Sequence, residues 1–183
     1  MKKVLIGIGA LVLLVVMIFM YYKSLYDKAV KLDESVQTAW GNVGADYQRR
    51  ADLIPGLIET VKGAAANEKE ILTAVTNARA GIVGAKTPED MDLAGKKINA
   101  AINLAFEAYP QIRSTQNFSE FQAQLEGTEN RINVSRKKYN EAVMAYNSHV
   151  RSLIPSMLIG GKFPVKDMFK ESAGAEEAPS VKF

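Results

Sequence analysis

The chain has 183 residues, 23 of them Lys or Arg and 20 Asp or Glu, with 48% hydrophobic residues and no cysteine. That length suits one ordinary domain, and the balance of apolar and charged residues excludes a chain that is disordered throughout. The missing cysteine excludes disulfides, thiolate metal sites, a cysteine nucleophile and a lipobox-type lipid anchor, and leaves the redox compartment open. The pI near 9.0 does not mark a nucleic-acid surface. Residues 23–160 carry 17 basic and 16 acidic side chains and residues 161–183 carry four of each, so the net +3 comes mainly from Lys2 and Lys3. Phosphate-driven binding needs a cluster of uncompensated cations, and no nucleic-acid partner is expected.

From Val4 to Tyr22 the run VLIGIGALVLLVVMIFMYY has no charge. About 20 apolar residues rising ~1.5 Å each match a hydrocarbon core of ~30 Å. A cleaved signal peptide would have a shorter apolar region ending in a small-x-small site. This run ends Phe19-Met20-Tyr21-Tyr22-Lys23, which favours an uncleaved anchor with Tyr21 and Tyr22 in the interfacial aromatic belt. Lys2 and Lys3 nearly cancel Lys23, Lys28 and Lys31 in the positive-inside balance. The short lysine tail favours a domain outside the cytoplasm, with a cytoplasmic domain as the alternative.

Beyond the anchor, Leu25, Ala29, Leu32, Val36, Trp40, Val43 and Tyr47 recur at steps of three and four with charges between them, so the helix is expected to continue out of the membrane. A second run begins near Pro55 (Leu57, Ile58, Val61, Ala65, Leu72, Val75, Ile82) and dissolves in GAKTPED. There Thr87 is the expected N-cap of a third helix, Pro88 its first residue and Asp90 the partner in a capping box. This helix should run to about Ala108, because Pro110 disfavours helical geometry at Tyr109. A fourth, from about Ser119 to Ile154, carries Phe121, Leu125, Ile132, Tyr139, Val143, Tyr146 and Val150 on one face, with Pro155 expected to end it. No strand signal appears.

The expected fold is therefore all-α. Residues 1–3 form a short tail, 4–22 the transmembrane helix, 23–154 the bundle and 155–183 a C-terminal tail. If Pro55 opens a new helix the result is an antiparallel four-helix bundle, which short connections favour. If Pro55 only bends one helix, the alternative is a long kinked three-helix bundle. In the tail, SMLIGGKFPVKDMFK is too apolar for an idle linker, and is expected to fold back on the bundle or to join copies together. ESAGAEEAPSVKF is small and acidic and reads as disordered.

Four blocks make the chain resemble the LemA family of bacterial membrane proteins: AWGNV at Ala39–Val43, QRRADLIPGLIETVKG at Gln48–Gly63, the pairs Tyr109-Pro110 and Asn117-Phe118, and TENRINVSRKKYNEAVMAYN at Thr128–Asn147. Gly56 departs from the Asn associated with its place, which touches only a local contact. The resemblance implies a helical bundle behind one transmembrane helix in the inner membrane, with no established enzymatic activity.

Catalytic signatures are missing from the sequence. His149 is the single histidine, and a bundle di-iron site needs a Glu-x-x-His on each of two helices. His149 is expected to be solvated or stabilised by the helix dipole. No Gly-x-Ser-x-Gly, P-loop or Gly-x-Gly-x-x-Gly occurs. No metal, cofactor or catalytic residue is assigned. Arg49, Arg50 and Asp52 are expected to form a charged helix end, either structural or partner-binding. Glu129, Asn130, Arg136 and Asn140 are expected to join Glu59 and Glu68 in a buried polar network that sets helix register. The function that follows is a membrane-anchored interaction or scaffold protein of the envelope, partnered by the bilayer and by itself or other envelope proteins. The alternative is a carboxylate-dependent hydrolase.

Overall fold

The computed structural model describes residues 2–60, 68–108 and 116–170, with side chains over 2–56, 73–107 and 119–170; the described part is all-α, without strands. Its helices are α1 (Lys2–Thr60), α2 (Glu68–Gly84), α3 (Pro88–Ala108), α4 (Gln116–Val150) and α5 (Leu153–Ile159). The chain divides into two compact units, Met1–Thr38 with Glu141–Lys166, and Ala39–Asn140 with Asp167–Phe183.

In the first unit, α1 begins with side chains that meet nothing. Ile6, Leu11 and Phe19 are all more than 60% exposed, over a stretch of mean hydropathy 2.9 that is long and apolar enough to cross a membrane. Further on the pattern changes. Ala29 and Val36 are buried, as are Val143, Tyr146 and Val150 of α4 and Pro155 and Ile159 of α5. Asp33 of α1 pairs with Lys166 at 2.7 Å. His149 Nε2 lies 3.0 Å from the Leu25 carbonyl oxygen. A carbonyl can only accept, so this nitrogen carries the proton and donates. The lone histidine thus ties α4 to α1 and is partly buried rather than solvated.

The fourth helix stops at Val150, four residues before the expected end at Ile154. Ser152 leaves helical geometry with ψ 151° and its hydroxyl turns back to the His149 carbonyl at 2.7 Å. Pro155 then sits third in α5, where a missing N–H costs nothing because the first four amides of a helix have no partner within it.

In the second unit, α1 and α4 run antiparallel. Trp40 meets Tyr139 with ring centroids 5.3 Å apart, the Ser135 hydroxyl donates to Asp46, and Arg50 pairs with Glu129, so rising numbers on α1 meet falling numbers on α4. Pro55 does not open a new helix: α1 passes through it to Thr60. The lost backbone bond is set against full burial of Ala51 and Ile54, one turn before the proline and beside it. The three-residue link after Gly84 makes α2 and α3 a helix hairpin. A Cβ added to Gly81 of α2 would lie 3.4 Å from the Ala94 Cβ of α3, so small residues set that approach. The expected start of α3 is present: the Asp90 amide donates to Thr87 Oγ1 at 3.1 Å, and the Thr87 amide donates back to the Asp90 carboxylate at 3.1 Å.

After α5 the chain folds back on α4 as an extended strap, residues 163–170. In the first unit, Tyr146 Oη donates to the Pro164 carbonyl at 2.9 Å, and the Asn147 side chain holds both the Lys166 carbonyl (2.8 Å) and the Lys166 amide (2.9 Å). In the second, Tyr139 Oη donates to the Asp167 carbonyl at 3.1 Å, and Asn140 holds the Phe169 carbonyl and amide, each at 2.9 Å. A primary amide offers the donor and acceptor of a peptide group, so each Asn bonds the strap as a neighbouring strand would. Partners advance seven residues on α4 for every three on the strap.

Candidate functional site

The second unit holds a cleft of about 460 Å³ to which three helices and the strap contribute: Tyr47 and Arg50 from α1, Asp92, Gly95, Lys96 and Asn99 from α3, Glu129, Ile132 and Arg136 from α4, and Lys170. Helical spacing explains the selection. Residues 92, 95, 96 and 99, like 129, 132 and 136, lie at steps of three or four and therefore on one helix face. Gly95 is the structural requirement, since a Cβ there would lie 2.5 Å from Tyr47 Cε1. With glycine, the buried tyrosine ring lies directly on α3.

Its polar groups are mostly paired. Arg136 reaches Asp92 at 3.1 Å, donates to the Lys170 carbonyl at 3.1 Å and lies 4.8 Å above the Phe169 ring. Tyr47 Oη approaches the same Asp92 at 3.5 Å. Burial pushes the Tyr47 phenol above its ordinary pKa, with Arg136 opposing. Burial likewise lowers the Arg50 guanidinium, and its Nε is buried without a hydrogen-bond partner although its terminal nitrogen pairs with Glu129. Lys170 bonds Glu89 at 2.9 Å, which holds its ammonium above the usual lysine value. Four cations and two carboxylates line the cleft; both carboxylates have an arginine partner, while Lys96 is exposed.

Among the described side chains, the residues singled out in the sequence do not form one network. Arg49 is exposed and pairs within its own helix with Asp46 at 3.5 Å, Arg50 crosses to Glu129 on α4, and Asp52 crosses to Arg79 on α2. Arg136 joins Asp92 and the strap, and Asn140 clamps Phe169. Asn130 is exposed. The expected buried network therefore resolves into separate cross-links, because neighbours on one helix turn toward different partners. Glu59 and Glu68 lie outside the described side chains. Tyr47, Asp92, Lys96, Asn99 and Lys170 went unnoticed as polar site residues; the signal available was the polar spacing of α3 around its central glycine. Among the described residues no group of three His, Cys, Asp or Glu is placed to hold a metal ion.

Comparison with known proteins gives this arrangement a family. A curated relative, Protein LemA of Metamycoplasma hominis, is 21% identical over 136 residues, covering 72% of this chain. The chain spans 62% of that relative's length. The LemA family description matches residues 39–183, the whole second unit and the α4–α5 part of the first. A match of that extent, over residues that build the cleft and both Asn clamps, means that the chain belongs to the LemA family.

Proposed function

We propose that this protein is a membrane-anchored interaction module of the bacterial envelope, without catalytic activity, whose cleft receives an acidic segment of a partner protein. The anchor fixes it in the inner membrane with the bundle outside the cytoplasm, and the apolar helix over residues 2–56, long enough to cross a membrane, supports the anchored part of this reading. The observation that carries the function is the charge inventory of the cleft: four cations and two carboxylates, with each carboxylate answered by an arginine. What is left to meet a visitor is positive, at the exposed Lys96. Pairing that is already internal to the site suits recognition, since a partner's carboxylate adds a charge-assisted bond without stranding an existing ion.

A photo-crosslinking residue placed at Asn99, which lines the cleft and is exposed, tests this in intact cells. A discrete protein adduct that disappears on Lys96→Glu, with the helical melt unchanged, is the expected result. Mass spectrometry of the adduct separates a second copy of this chain from another envelope protein. Labelling that is unaffected by the charge reversal would reject the cleft as the binding surface.

A further inference from the structure

We infer that α5 is a second membrane contact, a short helix that lies in the headgroup layer with Leu153, Ile154, Met157 and Leu158 turned into the lipid. This rests on the reading of residues 4–22 as a spanning helix. A helix advances ~100° per residue, which places those four side chains within an arc of ~140° and puts Pro155 and Ile159 on the opposite side. The burial agrees. Leu153 is 76% exposed, Met157 79%, Leu158 49% and Ile154 45%, while Pro155 and Ile159 are buried. One side of α5 is core and the other is an apolar face left exposed by the described residues.

The first unit also fixes where that face lies. Before α5, His149 reaches the Leu25 carbonyl at 3.0 Å. After it, Phe163 meets the Tyr26 ring edge-on at 5.2 Å and Lys162 Nζ lies 5.5 Å above the same ring. Both flanks of α5 are thus tied to α1 at residues 25–26, three or four positions past Tyr22, which is ~6 Å along the axis. The headgroup region on each side of the hydrocarbon core is about 5–8 Å deep. The apolar face is therefore held at the membrane surface, continuous with the spanning segment, and lipid is the occupant this geometry selects. Lys23, Lys28, Arg151 and Lys162, all exposed, stand near the end of the anchor or beside α5 in the sequence and are the kind of residue that interfacial helices set against anionic headgroups. Seven residues would bind a bilayer poorly alone, but the anchor already confines α5 beside it, so association is intramolecular.

The sequence has no cysteine, so single-cysteine variants of the full chain can carry an environment-sensitive fluorophore in vesicles of phosphatidylcholine and phosphatidylglycerol. Leu153→Cys and Met157→Cys are the probes. Thr38→Cys, exposed and ~24 Å past Tyr22 on α1, reports water, and Leu13→Cys reports the anchor. The expected result is iodide quenching several-fold weaker at 153 and 157 than at 38, together with strong quenching by lipids spin-labelled near the headgroup. Probes at 153 and 157 that behave like the one at 38, while 13 remains protected, would overturn the α5 contact and leave the anchor standing. Protection from iodide without quenching by labelled lipid would overturn it in favour of a protein cover. Iodide access at 13 would remove the anchor reading and the α5 contact with it.

Discussion

Both units hold the same strap with the same device and put it to different uses. In each, an asparagine on α4 bonds the carbonyl and amide of one strap residue while a tyrosine hydroxyl meets another carbonyl. The first unit pairs the strap's Lys166 with Asp33; in the second, Arg136 bonds the Lys170 carbonyl and stacks on Phe169, which also packs on Trp40 and Tyr139. The first unit adds an apolar helix whose outer face is uncovered. A shared backbone clamp carries no specificity, so what distinguishes the two units is what surrounds it: paired ions around a cleft in one, apolar side chains beside the anchor in the other.

The clamps offer the largest effect with which to challenge that comparison. Asn140→Ala removes two hydrogen bonds and strands the amide and carbonyl of Phe169, a residue 4% exposed. At ~1 kcal/mol net per bond and 1–3 kcal/mol for a polar group left buried, the loss should be about 3 kcal/mol. Asn147→Ala removes the same pair from half-buried Lys166, where water can substitute, and about 1–2 kcal/mol is expected. Thermal melts of the full-length protein in detergent give the ranking, and hydrogen exchange at the Phe169 and Lys166 amides gives the location. Equal losses would mean that aromatic and cationic packing around Phe169 adds nothing to the clamp.

The next effect lies on the helix contact beneath the cleft. Gly95→Ala would press a methyl group into the Tyr47 ring at 2.5 Å, and Tyr47 is only 5% exposed. Overpacking costs ~1–3 kcal/mol, offset by ~1 kcal/mol of helix propensity, for a net loss of about 1–2 kcal/mol. Gly81→Ala, where the added carbon finds ordinary contact at 3.4 Å, should be neutral or stabilising. If the two substitutions behave alike, the Tyr47–Gly95 approach is not what shapes the cleft.

Local chemistry was readable from the sequence, and long-range pairing was not. The uncharged run at 4–22, the apolar steps of α1 and α4 and the Thr87-Pro88-Asp90 start of α3 all depend on neighbours within a few residues. The two prolines misled because their cost depends on place. Pro55 is carried near the end of a long helix by buried Ala51 and Ile54, and Pro155 is harmless in the first turn of α5 after Ser152 has already broken α4. The apolar character of residues 156–170 marked the strap as more than a linker, yet nothing local paired Asn140 with Phe169 or Arg136 with Asp92 across 29 and 44 residues. Polar side chains that choose between several partners reveal the choice only once the helices are in place.

The smallest effect concerns the start of α3, the helix that presents Asp92, Lys96 and Asn99 to the cleft. Thr87→Ala removes the hydroxyl that receives the Asp90 amide, and N-cap losses of this kind cost about 1 kcal/mol. The reciprocal half of the capping box titrates. Hydrogen bonds from Thr87, then from the Lys86 amide, hold the exposed Asp90 carboxyl below the ordinary aspartate value. Between its folded and unfolded pKa the unfolded chain binds more protons, so stability from this group rises with pH. Its contribution is complete above the unfolded value, near 3.9, and disappears as pH falls through the lower folded value. Asp90→Asn should therefore flatten the acid limb of the melting profile, its cost being largest and independent of pH above the unfolded value and fading as pH falls through the folded one. An acid limb as steep in Asp90→Asn as in the unmodified protein would assign the pH dependence to other carboxylates.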